Sequence, residues 1–358
     1  MSRSQSELFR LQATACGRLG SPMYAELLAD LADDLEKGGP TAAALRGHED
    51  DPGPSGLALR LAGSLHRLVL AGAAPELAAL YPTTGGSWRP GAATEVVDFL
   101  SRRADDVRPL LDRAPQTNEV GRAAALAGGL LRLAERWRLP IRLFEIGSSG
   151  GLNLQADRFR ITDEAGRAWG DPASPVVLEG GWSGAPVPVT SSLEVVERGG
   201  SDLHPVDVTG EDGRLTLTSY VWPDMADRHA RLAGALELAR RRPVPVEVAG
   251  AATYVAALRL VPGTVTVLWH SVMWQYVPRE QQDAVVARLA ELGAAATPDS
   301  PLVHLFAEPT RRTPEEEHEF WVCAESWPGL GSGPGTGPAG EREFWGRMAA
   351  HGVPVVWE

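Results

Sequence analysis

The stretch Ile141-Arg-Leu-Phe-Glu-Ile-Gly-Ser-Ser-Gly-Gly-Leu-Asn153 decides the fold that we expect of this chain. Its first six residues form a short apolar run, which is typical of a buried strand. The glycines that follow let the backbone turn sharply and let a ligand approach it closely. We expect a helix to start near Gly150 and to present unpaired N–H groups. The pattern therefore predicts a strand that runs into a glycine-rich nucleotide-binding turn.

The acid Glu145 stands at the end of this strand, beside the turn. In dinucleotide-binding turns a pyrophosphate rests on the start of the helix, whereas a carboxylate here suits a cationic group such as an ammonium or a sulfonium. We therefore interpret the turn as the site for the amino-acid end of an adenosine cofactor. The alternative is a tight turn that binds no ligand. The residues expected to hold the cofactor here are Glu145, Gly147, Ser148, Ser149, Gly151 and Asn153.

The first 138 residues carry apolar side chains at the three- and four-residue spacing of amphipathic helices. Breakers such as Gly38-Gly39-Pro40 separate the helices, and no fixed-period repeat indicates a solenoid. We expect residues 1–138 to form an all-helical N-terminal cap region. The predicted helices are Ser6–Leu19, Met23–Lys37, Pro54–Ala71, Ala93–Leu111 and Gln116–Trp137, the last with Thr117 as its N-cap.

From Pro140 onward, short apolar runs alternate with helices, which predicts an α/β fold with a parallel sheet. We expect residues 139–358 to form a Rossmann-like nucleotide-binding domain with a β-rich insertion around 157–218. A loop at Gly329–Gly340 is expected to precede a last helix. The predicted strands are Ile141–Ile146, Val244–Ala249, Thr264–Trp269, Pro301–Ala307, Glu319–Ala324 and Val353–Trp357, with a helix at Gln281–Leu292.

The composition argues against several classes of function. The formal net charge is −12, and affinity for nucleic acids comes largely from Lys and Arg, so no nucleic-acid partner is expected. No apolar run approaches the roughly eighteen residues that a membrane helix needs, and the N-terminus lacks a signal core. Cys16 and Cys323 are expected to be free thiols in the cytoplasm. We expect a small-molecule substrate, and leave a homo-oligomer or a protein partner open.

A second acidic position lies in Gly200-Ser-Asp-Leu-His-Pro205. A carboxylate such as that of Asp202 can accept hydrogen bonds from both hydroxyls of a ribose. The alternative is an ordinary turn aspartate. A third position follows the predicted strand Val244–Ala249, where Ala251 is expected to lie beside the adenine.

These positions resemble the motifs of class I S-adenosylmethionine-dependent methyltransferases. Glu145-Ile-Gly-Ser-Ser-Gly-Gly151 is similar to their first motif, and Gly200–Pro205 is similar to the second, in which the acid binds the ribose. The resemblance implies a class I methyltransferase-like sheet and S-adenosylmethionine as the cofactor. One position departs from the pattern, because Gly250 stands where these enzymes often carry an acid that faces the adenine amine.

Other stretches look like DUF2332, a bacterial family catalogued only as a domain of unknown function. The resemblance covers nearly the whole chain, and it implies that the helical part and the sheet belong to one continuous domain. It implies no particular reaction. The stretches that carry it are Gly47–Pro54, Gln116–Arg122, Glu145–Asn153, Ser219–Asp224 and His270–Tyr276.

The segment His270-Ser-Val-Met-Trp-Gln-Tyr276 follows the predicted strand Thr264–Trp269. Ligands of doubly wound sheets bind beyond the carboxyl ends of the strands, so we expect this segment to face the substrate. His270 is the candidate general base, because its ordinary pKa lies near neutrality. The alternative is that His270 only ends the strand. The other candidates here are Tyr276 for catalysis, and Trp274 and Gln275 for the substrate pocket.

Further polar residues are expected near the ligand. Asn118 and Glu119 open the helix before the first strand, and we expect them to contact the amino-acid part of the cofactor. His48 is expected in a substrate loop; its acidic neighbours are too close in sequence for a metal site, and no metal is expected. Glu308 is a minor candidate, and Asp224 is expected to cap the helix that follows it.

The favoured interpretation is methyl transfer from S-adenosylmethionine to a small molecule, promoted mainly by positioning. The helical region would cover the ligand edge of the sheet. No phosphate-binding P-loop is present in the sequence. Two alternatives stay open: group transfer from another adenosine nucleotide, such as sulfonyl transfer from phosphoadenosine phosphosulfate, and a non-catalytic binding subunit that keeps the fold.

Overall fold

A computed structural model describes residues 3–112, 115–329 and 340–358 of the chain. The chain divides into two compact units. The first comprises Met1–Thr117 with Gly210–His229, and the second comprises Asn118–Thr209 with Ala230–Glu358. Every strand that the structure describes lies in the second unit. Most of the predicted loop Gly329–Gly340 lies outside the described residues.

The described residues form ten α-helices. Six of them lie wholly in the first unit, and the other four belong wholly or mostly to the second. The helices are α1 Gln5–Arg18, α2 Pro22–Glu36, α3 Pro40–Ala44, α4 Leu57–Leu70, α5 Ala93–Val107, α6 Ala123–Trp137, α7 Glu211–Ser219, α8 Ala226–Arg241, α9 Ala251–Ala256 and α10 Arg279–Ala294.

Apolar stripes on its helices build the core of the first unit. In α4, Leu57, Leu61 and Leu65 recur at four-residue spacing and all three are buried. At the start of α1 the Ser4 hydroxyl accepts from the N–H of Glu7, whose carboxylate accepts from the N–H of Ser4. The four helices predicted before residue 112 are confirmed to within a few residues at each end.

Asp224 caps a helix that is remote in sequence. Its carboxylate accepts from the Ser21 hydroxyl at 2.6 Å and from the N–H of Met23 at 3.0 Å, at the start of α2. The next helix along the chain, α8, begins at Ala226. The carboxylate therefore satisfies two donors of α2 rather than the helix that follows it.

The strands of the second unit form one mixed sheet of eleven described strands. In space their order is β3-β2-β4-β11-β10-β9-β8-β7-β1-β5-β6. The bounds are β1 Ile141–Ile146, β2 Arg160–Asp163, β3 Ala168–Trp169, β4 Val177–Gly184, β5 Val195–Asp202, β6 Val246–Val248, β7 Val265–Ser271, β8 Leu302–Thr310, β9 Glu319–Trp327, β10 Arg342–Met348 and β11 Val355–Trp357.

Five neighbouring strands of this sheet are parallel, in the order β6-β5-β1-β7-β8. The chain adds β5 and β6 on one side of β1 and then returns to add β7 and β8 on the other. The carboxyl ends of β1 and β7 therefore meet where the direction of strand addition reverses. In open α/β sheets this is the place where ligands bind.

Three local predictions are wrong. The helix predicted from Gln116 begins only at Ala123, because Asn118 reaches out to the turn after β1 and Glu119 caps a short 3-10 turn instead. No α-helix starts near Gly150; a 3-10 segment, Leu152–Arg158, follows the turn. The last predicted helix is strand β10, whose Gly346 lets the backbone of β11 approach closely.

The β-rich insertion predicted for residues 157–218 contains β2, β3, β4 and β5. Its end is not β-structure, since α7 occupies Glu211–Ser219 and belongs to the first unit. The described helices include none that is long and apolar enough to cross a lipid bilayer.

Candidate functional site

The glycine-rich turn lies at the carboxyl end of β1. Gly147, Ser149 and Gly151 all have positive φ angles, of 68°, 52° and 69°. A Cβ at Gly147 would lie 2.9 Å from the Met273 side chain, and one at Gly151 would lie 2.8 Å from Val246. Glycine is therefore required at both positions by the left-handed backbone and by the neighbouring side chains.

The N–H groups of the turn already have acceptors within the protein. Two of them are held by one side chain, the amide oxygen of Asn118. The expectation that unpaired N–H groups are presented here is therefore wrong. The bonds are those of Ser148 to the Ser201 carbonyl, Ser149 to the Asp202 carboxylate, Gly150 and Leu152 to Asn118, and Gly151 to the Ser148 carbonyl.

Glu145 is a buried acid at the end of β1, with 3% of its surface exposed. Its Oε2 atom makes no hydrogen bond of good geometry, and neither does the buried indole N–H of Trp269, its partner on β7. Since polar atoms in a protein interior are almost always paired, an orphaned carboxylate oxygen at the ligand edge of a sheet needs a reason. A ligand that supplies a donor or a positive charge would provide one.

Burial raises the pKa of Glu145 to about 8. The negative charge of Asp202 acts in the same direction, whereas the nearby donors of Trp269 and Ser148, as weak hydrogen-bond partners, and the positive charge of Arg122 lower the pKa. At neutral pH this carboxyl is therefore mostly protonated in the ligand-free protein. A cation placed against it would favour the charged form.

Asp202 helps to build the turn. One of its carboxylate oxygens accepts from the N–H of Ser149 at 2.9 Å, and the other accepts from the N–H of His204 at 2.9 Å. The side chain is only partly buried, and a carboxylate has about four acceptor positions. Asp202 therefore retains acceptor capacity for the two hydroxyls of a ribose.

Asn118 and Glu119 lie where the sequence placed them, next to the turn. Besides the Asn118 bonds, the Asn153 side chain donates to the Glu119 carbonyl at 3.2 Å. The Oδ1 atom of Asn153 is buried and has no partner. This part of the site therefore holds a second orphaned acceptor, in addition to Oε2 of Glu145.

Ala251 begins α9 and is buried. Gly250 precedes it in extended conformation, and a Cβ there would lie 2.9 Å from the amide oxygen of Gln281. The short helix contributes Tyr254, Val255 and Ala251 to an apolar cluster with β1 and α10. The immediate contacts of Gly250 are therefore with α10.

His270 lies near the end of β7 and is 2% exposed. Its Nδ1 atom lies 2.8 Å from the Glu308 carboxylate, and its Nε2 atom lies 3.0 Å from Nε2 of His304. Trp274 stacks on one side of the ring, with centroids 4.9 Å apart. Both ring nitrogens are thus engaged, so His270 reaches a substrate proton only if one of these contacts opens.

His304 and Glu325 were not recognised from the sequence. Nδ1 of His304 lies 3.0 Å from the Glu325 carboxylate, which also binds Arg342 at 3.0 Å. The signal available in the sequence was the polar alternation in Val303-His-Leu-Phe-Ala-Glu308, where every second residue of a buried strand is polar or aromatic.

Glu145 and His270 lie on opposite faces of the sheet. Glu145 pairs with Trp269 across β1 and β7, and partners in register share a face. His270, the next residue, therefore faces the other side. Beyond the strand, Gln275 and Tyr276 are exposed and Trp274 is partly buried. The structure thus brings Glu145, Asp202 and the turn together, and builds a separate cluster around His270.

His48 lies in the first unit. Its Nδ1 atom lies 3.0 Å from the Asp51 carboxylate, which is also bound by Arg60. These contacts tie the loop before α4 to the helix itself. Within the described parts of the chain, no group of three or more His, Cys, Asp or Glu side chains has the geometry to hold a metal ion.

Comparison with known proteins gives one match. No curated protein and no solved structure is significantly similar to the chain. A family model described as an uncharacterized protein conserved in bacteria, DUF2332, matches residues 6–357, which is nearly the whole chain. The chain therefore belongs to the DUF2332 family.

Proposed function

We propose that the second unit is a Rossmann-like domain that binds S-adenosylmethionine and transfers its methyl group to a small molecule. The observation that carries the proposal is the buried carboxyl of Glu145, whose Oε2 atom has no partner. It lies at the end of β1, where the order of the parallel strands reverses. The strand order β6-β5-β1-β7-β8 supports the fold part of the proposal.

The polar groups around the turn favour a cationic ligand over a phosphate. The N–H groups from Ser148 to Leu152 are occupied, so the turn lacks the free donors with which such turns hold phosphates. Glu145 and Asp202 supply acidic groups instead. This combination disfavours phosphoadenosine phosphosulfate as the donor and fits a ligand with an ammonium and a sulfonium.

Each of these residues would bind a different part of the ligand. Glu145 would hold the ammonium, and Asp202 would accept from the ribose hydroxyls. The adenine would lie near Ala251, and Gly250 before it supplies no acid to face the adenine amine. Asn153 Oδ1 is a further acceptor for the amino-acid end.

S-adenosylmethionine would supply a methyl group that is already electrophilic, so no acid or base of the protein is needed to activate it. The contribution of the chain is then to align the acceptor and to exclude water. Gln275 and Tyr276, which are exposed beyond β7, are the residues expected to contact the acceptor. We assign His270 a positioning role, because both of its ring nitrogens are engaged.

A second candidate is a binding subunit without catalysis. The engaged state of His270 favours it, since the structure presents no free histidine nitrogen at this cluster. It shares the ligand site with the first candidate and differs only in turnover.

Calorimetric titration of the full chain with S-adenosylmethionine, S-adenosylhomocysteine and phosphoadenosine phosphosulfate tests the proposal. We expect S-adenosylmethionine and S-adenosylhomocysteine to bind, and phosphoadenosine phosphosulfate not to bind. Glu145→Gln should weaken binding at least tenfold, whereas Glu280→Gln, an exposed glutamate on α10, should leave it unchanged. Binding of the sulfate donor alone would overturn the proposal, and binding of none of the three would leave the ligand-binding function without support.

A further inference from the structure

Three buried side chains and one partly buried one, all in the second unit, form a continuous chain of contacts across three strands. It runs from Glu308 on β8 to His270 on β7, back to His304 on β8, and on to Glu325 on β9. Arg342 on β10 binds the outer carboxylate. These five residues form the histidine-pair cluster. The buried thiol of Cys323, which lies opposite Phe306 on β9, is a further titratable group beside it.

The contacts fix the number of protons in the cluster. Glu308 Oε1 already accepts from the N–H groups of Met273 and Trp274, and Glu325 accepts from Arg342, so both carboxylates act as acceptors. Each therefore accepts a hydrogen bond from the Nδ1–H of its histidine. Because a neutral imidazole carries a single N–H, two neutral rings would then face each other with bare Nε2 lone pairs at 3.0 Å. A third proton is needed between them.

We infer that His270 and His304 share one additional proton, and that this shared proton holds the segment after β7 in place. With it the cluster is electrically balanced: two carboxylates face one guanidinium and one imidazolium. Buried charges persist when they are paired in this way.

Two further observations place the proton on His270. Its ring stacks against both Trp274 and Phe306, with interplanar angles of 17° and 5°, and aromatic rings in such contact favour a cation. Burial lowers the pKa of His304, which makes that ring the neutral acceptor. The pKa of the Glu325 carboxyl is lowered. Its burial acts to raise this pKa, but the hydrogen bond with His304 and the charge of Arg342 outweigh that effect.

The cluster acts on the segment that approaches the turn. Val272 has a φ of 51°, a strained conformation for a β-branched residue. The strain is held by the bonds from the N–H groups of Met273 and Trp274 to Glu308. The Met273 side chain in turn packs on Gly147. The shared proton therefore positions the side chain that covers the first glycine of the turn, whatever ligand the turn binds.

Nitrogen NMR of protein with ¹⁵N-labelled histidine tests the inference, since the chain has eight histidines. Assignment comes from His270→Gln and His304→Gln, or from correlation to the backbone in wild type if a variant fails to fold. We expect one imidazolium and one neutral ring in this pair at pH 7.5. Two neutral rings would overturn the inference, as would a metal ion found by elemental analysis in stoichiometric amount.

Glu308→Gln separates a charge effect from a packing effect. The glutamine keeps the acceptor for the Met273 and Trp274 N–H groups but removes the negative charge. The midpoint at which the pair loses its proton should fall by about one pH unit or more. Glu280→Gln should not move it. An unchanged midpoint in Glu308→Gln would contradict the shared proton.

Discussion

Replacing Glu145 by glutamine should change how the stability of the protein depends on pH. In the folded protein, burial raises the pKa of Glu145 to about 8, whereas its ordinary value is 4.5. The unfolded chain therefore loses this proton at a lower pH than the folded one. Glu145 contributes most to stability below about pH 4.5, and that contribution is lost as the pH rises towards 8.

The size of the effect follows from the two pKa values. Each pKa unit corresponds to about 1.4 kcal/mol, so Glu145 lowers the free energy of unfolding by about 3 kcal/mol between pH 4.5 and 7, and by about 5 kcal/mol by pH 9. Glutamine does not titrate. It leaves a buried amide in the same place, at a cost of about 1–3 kcal/mol that does not vary with pH.

Urea unfolding of wild type, Glu145→Gln and Glu280→Gln at pH values from 5 to 9 measures the effect. The free energy of unfolding of Glu145→Gln relative to wild type should rise by several kcal/mol across this range, while the exposed Glu280→Gln stays level with wild type. A difference between Glu145→Gln and wild type that is the same at pH 5 and pH 9 would refute the reasoning, because the carboxyl would then titrate as in water.

Two further predictions concern caps. Asn118→Ala should lower the free energy of unfolding by about 2–3 kcal/mol and speed hydrogen exchange at Gly150 and Leu152, because two buried N–H groups lose their acceptor; unchanged exchange at both amides would contradict it. Asp224→Ala should cost about 1–2 kcal/mol and expose the start of α2, seen as faster exchange at Met23, whereas Asp98→Ala, at an exposed position on α5, serves as the comparison.

Local sequence patterns were sufficient where the structure is local. The run Ile141–Ile146 is β1 as predicted, because a strand buried on both faces is mostly apolar. The leucine stripe of α4 is likewise a helix with a buried face. Glu145 was identified from its place at the end of a strand, and the structure adds that the acid is buried with an orphaned oxygen.

Long-range partners explain the predictions that were wrong. The N–H groups after Gly147 were expected to be open, but most of their acceptors are distant in sequence. Asn118, about thirty residues earlier, holds two of them, and Ser201 and Asp202, about fifty residues later, hold two more. Residues Arg342–Met348 were predicted to be helical. They form strand β10 because β9 pairs with one edge of this segment and β11 pairs with the other. The contact between His270 and His304 joins two strands that are sequence-distant, and no spacing rule predicts it.

The most direct test of the central claim is the number of protons released when S-adenosylmethionine binds, measured calorimetrically at pH 7 in buffers of different ionisation enthalpy. With a pKa of about 8, Glu145 is about 90% protonated before binding and would be ionised beside the ammonium afterwards. Wild type should release about 0.9 proton on binding, and Glu145→Gln should release none. Binding without proton release in wild type, or equal affinity in Glu145→Gln, would contradict it.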